Sequence, residues 1–306
     1  EFGLRRAQGP DAGIYGARAA VIAGCIGTSN VLAGKMFNVP VKGTHAHSWI
    51  MSFPDEYTAF KTYADLYPDA CILLVDTYDT LRSGVPNAIR VFNEMREAGI
   101  ELKGYGIRLD SGDLAYFSKK ARKMLDDAGF KDAGISASCD LDEYLIDSLK
   151  TQGAAITSWG VGTNLITAKD NPAFGGVYKL AAVMGDDGKF IPKIKLSENS
   201  EKITNPGNKT VYRVYDTDGM LKADLIALTD EVYDENDPLL LFDPIETWKK
   251  TLLQPGEYTL REILVPVFKD GECVYTTPPV MDIQKYCKKE LSTLWDESKR
   301  LVNPQE

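Results

Sequence analysis

The chain has 306 residues, of which 44% are apolar and 26% are charged. These proportions are typical of a folded globular protein and exclude a disordered or fibrous chain. The 44 Asp and Glu residues outnumber the 35 Lys and Arg residues, which gives a formal net charge of −9. We therefore expect no broad basic surface for nucleic acid or an anionic membrane, so that any bound anion has to be held by local groups.

The cysteine pattern predicts a cytoplasmic protein. Five cysteines are scattered along the chain without a CxxC pair, which argues against a disulfide framework and a zinc knuckle. The apolar runs are far shorter than the ~18 to 20 residues that span a bilayer. The sequence begins at Glu1 without a basic and apolar leader, so we expect no targeting signal and a chain that is part of a longer protein.

From about residue 71 to residue 160 the sequence repeats a β-rich run, a polar turn and an amphipathic helix. The β-rich runs are CILLVD (71–76), GYGIRLD (104–110), ISASCD (135–140) and AITSWG (155–160). Between them, apolar residues recur at the 3.6-residue spacing of a helix. Strands that alternate with helices require right-handed crossovers and a parallel sheet, which is either open or closed into a barrel.

Three successive strands of this series end in an aspartate, at Asp76, Asp110 and Asp140. Any one of them is equally well explained as a helix N-cap. Three in succession favour a shared mouth, because all strand ends converge on one rim in a barrel but spread along a line in an open sheet. The prediction is an α/β fold with an irregular TIM-like β/α barrel.

The alternation of strands and helices stops after about Ile191. Polar, turn-rich stretches such as LSENSEKITNPGNKT and TDEVYDENDP predict hairpins with exposed loops. Apolar spacing from Asp282 to Leu301 predicts one amphipathic helix. We therefore expect a barrel that carries the active-site rim over residues 1–196, and an additional α/β region with hairpins and a terminal helix over residues 197–306.

Both histidines of the chain lie in GTHAHSW, at His45 and His47. On an extended segment the two rings would point to the same face. The spacing is compatible with a nucleophile or acid–base group, with buried hydrogen-bonded core histidines, or with a zinc site completed by Cys or carboxylate. The sequence alone leaves these three interpretations open.

Two further segments could bind anions. SWGVGTNL is expected to present Gly160, Gly162 and Thr163 with free backbone amides before a helix, as phosphate sites do, although glycine turns are common. EFGLRR brings together Phe2, which could stack on a flat heteroaromatic ring, and Arg5, whose guanidinium suits carboxylate or phosphate. The alternative for EFGLRR is surface charge beside a core phenylalanine.

With these segments side by side, the chain resembles the nicotinate phosphoribosyltransferase family, whose members join nicotinate to phosphoribosyl pyrophosphate in NAD synthesis. The resemblance covers Glu1 to about Leu196. It rests on the segments EFGLRRAQGPD (1–11), SNVLAGK (29–35), GTHAHSW (43–49), LLVDTYDT (73–80), GIRLDSGDL (106–114), GVGTNL (160–165) and GGVYKL (175–180). It implies a type II phosphoribosyltransferase fold with an irregular barrel and a second α/β domain, built partly from an N-terminal segment that this sequence lacks.

The resemblance implies roles for individual residues. His47 corresponds to the histidine that ATP phosphorylates, and Arg108 and Asp110 to the pair that contacts the ribose bearing pyrophosphate and its metal. His45 lies where the family tolerates other residues and receives no role. The substrate-binding residues implied are Phe2 on the pyridine ring, Arg5 on substrate anions, Thr28 and Ser29 at the pyridine end, Asp140 on a ribose hydroxyl, and Gly160, Gly162 and Thr163 at the 5′-phosphate.

The resemblance also implies the reaction and its partners. We expect an ATP-dependent enzyme, classed as a ligase, that makes nicotinate mononucleotide and pyrophosphate. Mg²⁺ is expected with phosphoribosyl pyrophosphate and ATP, without a dedicated metal site, and the enzyme is expected to be a homodimer. The alternatives are a nicotinamide-using relative and a fragment that binds but does not turn over; quinolinate phosphoribosyltransferase is disfavoured because it lacks such a histidine segment.

Overall fold

The computed structural model describes residues 1–196, 198 and 203–305. The chain divides into two compact units, the first made of Glu1–Pro172 and Pro279–Cys287, and the second of Ala173–Pro278 and Lys288–Glu306. Residue 197, where the sequence-based boundary falls, lies outside the described residues, as do residues 199–202 of the stretch LSENSEKITNPGNKT. That boundary stays a prediction.

The first unit contains a parallel sheet whose strands follow the chain order β1-β2-β3-β4. The strands are β1 (Ile72–Leu74), β2 (Gly106–Leu109), β3 (Gly134–Ala137) and β4 (Ser158–Trp159). The register pairs Leu73 with Ile107 and Ile107 with Ile135. The parallel sheet predicted from the sequence is thereby confirmed.

Helices surround and connect these strands. They are α1 (Pro10–Ala23), α2 (Val31–Phe37), α3 (His47–Met51), α4 (Glu56–Leu66), α5 (Val85–Glu97), α6 (Leu114–Asp127), α7 (Glu143–Thr151) and α8 (Thr163–Ile166), with short 3₁₀ turns at Leu4–Arg6 and Pro68–Ala70 and a π-helical turn at Thr80–Gly84. Local chemistry sets their ends: the Asp113 carboxylate caps α6 by accepting the Tyr116 N–H at 2.9 Å, and Gly129, at φ 88°, follows its last turn.

The core of the first unit lies between the sheet and its helices. Residues from the strands, the helices and the loop after α6 form one fully buried cluster, which includes Leu73, Ile107, Ile135, Phe92, Met95, Leu125 and Phe130. At about 25 cal/mol per Å² of buried apolar surface, such a cluster is the main stabilising contribution to the unit. The sheet is therefore a firm support for the residues at its strand ends.

Closure into a barrel is not seen among the described strands. The sheet is a four-stranded one with β1 and β4 at its edges. On the outer side of β1 the His45 ring, rather than another strand, accepts the backbone N–H of Leu74. The fold shown is α/β with a parallel sheet, and the TIM-like barrel expected over residues 1–196 is not confirmed.

The second unit is built mainly from antiparallel hairpins. Its strands are β5 (Ala182–Met184), β6 (Phe190–Pro192), β7 (Lys209–Tyr215), β8 (Leu221–Leu228), β9 (Leu239–Phe242), β10 (Lys250–Leu253), β11 (Thr259–Glu262), β12 (Phe268–Lys269) and β13 (Glu272–Cys273). They form a three-stranded sheet in the order β11-β7-β8 and two-stranded pairs β5-β6, β9-β10 and β12-β13. A small core of Val214, Leu239, Leu253 and Tyr258 holds this unit together.

The terminal helix α9 is shorter than the sequence predicts. It spans Val280–Ser292, and a separate 3₁₀ turn follows at Asp296–Lys299, whereas the apolar spacing predicted one helix from Asp282 to Leu301. Trp295 interrupts the helix with an extended backbone (φ −60°, ψ 148°). The Trp295 indole N–H donates to the Leu221 carbonyl at 3.0 Å, a tertiary contact that local spacing does not encode. No helix in the described residues is long and apolar enough to cross a membrane.

Candidate active site

A cavity of about 580 Å³ in the first unit contains most of the predicted site residues. It lies at the carboxyl ends of the strands, where loops from separate parts of the chain meet. Its lining includes Phe2, Arg5, Ser29, Thr44, His45, His47, Arg108, Asp110, Ser138, Cys139, Asp140, Gly160, Gly162 and Thr163. The edge of the sheet therefore brings together side chains that are up to 161 positions apart in sequence.

His47 begins helix α3 and turns its ring toward two carboxylates. Its Nδ1 lies 3.1 Å from the Thr77 hydroxyl. Its Nε2 lies 3.6 Å from Asp110 Oδ2 and 4.0 Å from Asp76 Oδ1. The side chain is 38% exposed, so the ring is held by neighbours and is still open to a ligand.

His45 points elsewhere, and the expectation that both rings share a face is wrong. The backbone is extended at Ala46 but turns into α3 at His47, so the alternation of a strand does not continue to the second ring. The buried His45 ring accepts the Leu74 N–H at Nε2, at 3.2 Å, and lies edge-on to Tyr63 with 4.6 Å between ring centroids. Burial first, and then the positive charge of Arg108, lower the pKa of His45 to about 4.

Arg108, on β2, is held beneath the histidine segment. Its Nη1 donates to the Thr44 hydroxyl and to the His45 carbonyl, the latter at 3.2 Å, and its Nη2 lies 3.9 Å from Asp110 Oδ1. Burial lowers the pKa of Arg108, the nearby carboxylates of Asp110 and Asp76 oppose this, and Arg5 adds a smaller lowering effect. Its buried Nε has no partner among the described residues, so the site contains an unsatisfied cationic donor.

Asp76 and Asp110 are joined to each other at the ends of β1 and β2. Asp76 Oδ2 accepts the Asp110 N–H at 2.9 Å and the Ser111 hydroxyl at 2.6 Å. Ser138 donates its hydroxyl to Asp110 Oδ1. Asp76 Oδ1 is buried and lacks a hydrogen-bond partner in the part of the chain described. The pair thus has free carboxylate oxygen atoms beside His47.

The glycine loop after β4 differs in part from its prediction. The Gly160 amide is not free, because it donates to the Ala137 carbonyl at 2.7 Å and continues the sheet. Gly162 and Thr163 line the cavity at the start of α8, and within residues 1–196 no acceptor faces their N–H groups. Gly160 instead provides room for an aromatic ring, since a Cβ there would lie 2.6 Å from Phe2 Cδ2.

At the N-terminal segment the structure separates Ser29 from Thr28. Phe2 is fixed by its N–H, which donates to the Val161 carbonyl at 2.8 Å, and Ser29 lines the same cavity. Thr28 is fully buried, and its hydroxyl donates to the Glu1 carboxylate at 2.5 Å. Thr28 therefore supports the loop from inside and does not line the cavity.

Asp140 lies at the cavity rim in an unusual backbone conformation. Asp140 and its neighbour Cys139 have φ angles of 38° and 94°, a region that costs non-glycine residues roughly 1–3 kcal/mol each. The Asn164 side-chain amide donates to the carbonyl groups of Asp140 and Leu141 at 2.9 and 3.2 Å. This contact ties the turn after β3 to the glycine loop.

The sequence patterns assign no role to two residues of the site. Asp76 stands at a strand end without a predicted function, and Thr77 carries no prediction. The signal was available in LLVDTYDT, because polar residues that directly follow a buried parallel strand lie at the same edge as Asp110. Among the described residues, no group of three or more His, Cys, Asp or Glu side chains is placed to hold a metal ion.

The sequence matches known families over nearly its whole length. Residues 1–215 match the nicotinate phosphoribosyltransferase (NAPRTase) family, and residues 208–306 match the nicotinate phosphoribosyltransferase C-terminal domain. Among similar proteins, the nicotinate phosphoribosyltransferase of Bacillus subtilis (strain 168) is 52% identical over all of this chain and 61% of its own length. The protein of that name from Dictyostelium discoideum is 36% identical over 99% of this chain and 59% of its own length.

A solved structure agrees with these matches. The crystal structure of human nicotinic acid phosphoribosyltransferase aligns with a TM-score of 0.76 at 28% identity, over 99% of this chain and 66% of the human chain. This chain thus spans about three fifths of the length of the Bacillus subtilis and Dictyostelium discoideum proteins. On the sequence match over residues 1–215, the chain belongs to the nicotinate phosphoribosyltransferase family.

Proposed function

We propose that the protein containing this chain forms nicotinate mononucleotide and pyrophosphate from nicotinate and phosphoribosyl pyrophosphate, coupled to ATP hydrolysis through phosphorylated His47. The observation that carries the proposal is one cavity lined by the His47 imidazole, a largely buried guanidinium, two carboxylates and two glycine-loop amides. An acidic protein needs such a local arrangement to bind a highly charged anion. The role in NAD synthesis is the one that the family resemblance implies.

Phosphoribosyl pyrophosphate would bind along the strand ends. The N–H groups of Gly162 and Thr163 suit the 5′-phosphate, because backbone amides without acceptors bind anions well. Arg108, with an unpartnered Nε, suits the pyrophosphate, and Asp140 on the rim suits a ribose hydroxyl. The phosphate oxygens would then face a guanidinium and backbone N–H donors.

Nicotinate would bind at the Phe2 end of the cavity. The Phe2 ring packs against the backbone of Gly160 and also lines the cavity. A flat pyridine ring could stack on the part of Phe2 that lines the cavity. Arg5 is exposed at the cavity and suits the nicotinate carboxylate. Ser29 adds a hydroxyl at the same end.

The transfer itself needs little acid–base chemistry. The pyridine nitrogen attacks C1 of the ribose with its free lone pair as the bond from C1 to the pyrophosphate oxygen breaks. Positive charge develops at the sugar, and negative charge develops on the leaving oxygen. The fixed donors of Arg108 stabilise the leaving anion, and the carboxylate of Asp110 stabilises the developing cation.

The same carboxylates fit a substrate-borne Mg²⁺. Mg²⁺ is commonly held by one or two carboxylates together with substrate phosphates, and the unpartnered Oδ1 of Asp76 and the accessible carboxylate of Asp110 provide such oxygens. When bound, the ion would neutralise charge on the pyrophosphate. Asp76 and Asp110 would hold it without a dedicated protein cage.

His47 would link this reaction to ATP. A ring nitrogen of the partly exposed imidazole attacks the γ-phosphorus, the bond to the bridging oxygen breaks, and ADP leaves with that electron pair. Thr77 orients the ring through its hydroxyl. Hydrolysis of the resulting phosphohistidine can then be coupled to substrate affinity.

We further propose a cytoplasmic homodimer with a closed barrel, as the family resemblance implies. All five cysteines are free, which suits a reducing compartment.

Product analysis tests the proposed reaction. The full protein that contains this chain should convert nicotinate, phosphoribosyl pyrophosphate, Mg²⁺ and ATP to nicotinate mononucleotide, detected by mass spectrometry. Replacing nicotinate with nicotinamide should yield far less product. Preference for nicotinamide would favour the nicotinamide-using relative. Turnover by the full protein but not by this chain alone would favour a fragment that binds without turnover, and absence of any nucleotide product from the full protein would contradict the proposal.

A further inference from the structure

The outer edge of β1 is closed by a side chain. β1 pairs only with β2 in the described sheet. The Val75 N–H donates to the Arg108 carbonyl in β2 at 3.1 Å, and because N–H groups alternate along a strand, the Leu74 N–H points away from β2. Leu74 is fully buried, so without an acceptor this donor would be left unpaired in the interior. His45 Nε2 provides that acceptor at 3.2 Å.

This hydrogen bond fixes the chemical state of the His45 ring. A nitrogen that accepts a hydrogen bond carries no proton, so the neutral ring has its proton on Nδ1, which faces the Ala46 carbonyl at 3.5 Å. Burial, Arg108 and His47 favour the neutral form of the ring, whereas the hydrogen bond to the Ala46 carbonyl favours the protonated form. Arg108 and His47 are the charged or chargeable neighbours, both cationic in sign, while Tyr63 and Phe60 cover the ring with aromatic surface.

The backbone of the same residue holds the main cation of the cavity. The His45 carbonyl accepts from Arg108 Nη1 at 3.2 Å, and the hydroxyl of the preceding Thr44 accepts from the same nitrogen. His47 begins helix α3 two residues later. The position of the His45 ring on β1 therefore determines where the acceptors of Arg108 and the start of α3 lie.

We propose that His45 is a positioning residue, whose ring fastens the segment from Thr44 to His47 to the edge of β1 and thereby sets the position of the Arg108 guanidinium. This inference rests on the proposed function, because Arg108 is taken to bind phosphoribosyl pyrophosphate. In this role the His45 ring acts on substrate binding only through Arg108, since its Nε2 is directed to the Leu74 N–H. The ring contributes a hydrogen-bond acceptor for the Leu74 N–H, which a hydrophobic residue of similar size would lack.

A pair of substitutions separates the acceptor from the volume of the ring. His45→Gln can present an amide oxygen near the place of Nε2, whereas His45→Leu fills space without an acceptor. In the full protein, His45→Leu should raise the KM for phosphoribosyl pyrophosphate about tenfold while the KM for nicotinate changes little, and His45→Gln should recover most of the loss. Tyr63→Phe keeps the ring contact and should match the unsubstituted enzyme. Equal effects of the Gln and Leu substitutions, or none from either, would overturn the proposal.

Nitrogen NMR of the unsubstituted protein tests the same geometry without turnover. In a ¹⁵N-histidine spectrum, the His45 signals are identified by their absence from the spectrum of His45→Gln. They should show a protonated Nδ1 and an unprotonated Nε2, and they should not change between about pH 7.5 and about pH 5.5. A proton on Nε2, or titration across that range, would overturn the proposal even if His45→Leu fails to fold. If no nucleotide product forms but this spectrum is as expected, the reaction is wrong and the anchoring of the segment by His45 stands.

Discussion

At the residue scale, the two histidines show how position in the fold separates identical side chains. His47 lies between Thr77, Asp76 and Asp110 and is partly open, whereas His45 is buried and accepts a backbone hydrogen bond. The first arrangement suits a group that reacts. The second suits a group that stays neutral.

Arg108 gives the first prediction. Arg108→Ala should leave the protein folded but lower kcat/KM for phosphoribosyl pyrophosphate by about 100-fold or more, because a fixed cationic donor to the leaving group is lost. Steady-state kinetics would measure the loss, and circular dichroism would check folding. Arg82→Ala, which removes an exposed arginine outside the cavity, should have no comparable effect. An unchanged kcat and KM in the Arg108 variant would remove this residue from the proposed site.

His45 predicts a pH dependence of stability. Its pKa is about 4 in the folded protein and near ~6.5 in an unfolded chain. The unfolded state therefore binds more protons between these values, so the stabilisation from the neutral ring is complete above about pH 6.5 and is lost as the pH falls toward 4. The total is on the order of 3 kcal/mol.

Urea unfolding of the protein and of His45→Gln would measure this effect, since glutamine does not titrate. The free energy of unfolding should fall more steeply between about pH 6.5 and about pH 4.5 in the unsubstituted protein. Parallel pH curves for the two proteins would contradict the assigned state of His45.

At the element scale, the loop after β4 joins the sheet to the aromatic end of the cavity. Gly160 continues the sheet through its N–H, and its missing side chain leaves the space that the Phe2 ring occupies. Gly162 and Thr163 follow directly and face the cavity. One short loop therefore serves both proposed ends of the substrate site.

This arrangement predicts a selective effect for Gly160→Ala. The new methyl group would lie 2.6 Å from Phe2 Cδ2, so the ring has to move. The KM for nicotinate should rise about tenfold, with a smaller change in the KM for phosphoribosyl pyrophosphate. Gly175→Ala is the matched control, because nothing lies within 4 Å of a Cβ at that position. A larger effect on the phosphoribosyl substrate would show that Phe2 does not bind the pyridine.

The elements also show how far the sequence predicts the structure. Strand order and the positions of Asp110 and Asp140 follow from hydrophobic periodicity and the geometry of parallel strands. The start of α3 at His47 does not, because its N-cap, Ala46, makes no side-chain cap hydrogen bond, so no local signal marks it. Likewise, the burial of Thr28 depends on Glu1, which is distant in sequence. Such features depend on tertiary contacts that periodicity does not contain.

At the scale of the whole molecule, one edge of the parallel sheet serves both proposed reactions. At the carboxyl ends of the strands, Nε2 of His47, the proposed site of phosphorylation, lies 3.6 Å from Asp110 Oδ2. Asp110 is also proposed to act in phosphoribosyl transfer. ATP hydrolysis and nucleotide formation would therefore occur in the same cavity. Because the displacement at C1 does not pass through the histidine, the two reactions should be separable by substitution.

Phosphorylation of His47 by labelled ATP is the most direct test of this account. In the full protein, γ-labelled ATP should give an acid-labile label that His47→Asn abolishes and His45→Asn, if it folds, retains. The His47→Asn protein should still form nicotinate mononucleotide slowly and without dependence on ATP. Persistence of the label in the His47 variant, or complete loss of ATP-independent product formation in a folded His47 variant, would contradict the proposed coupling.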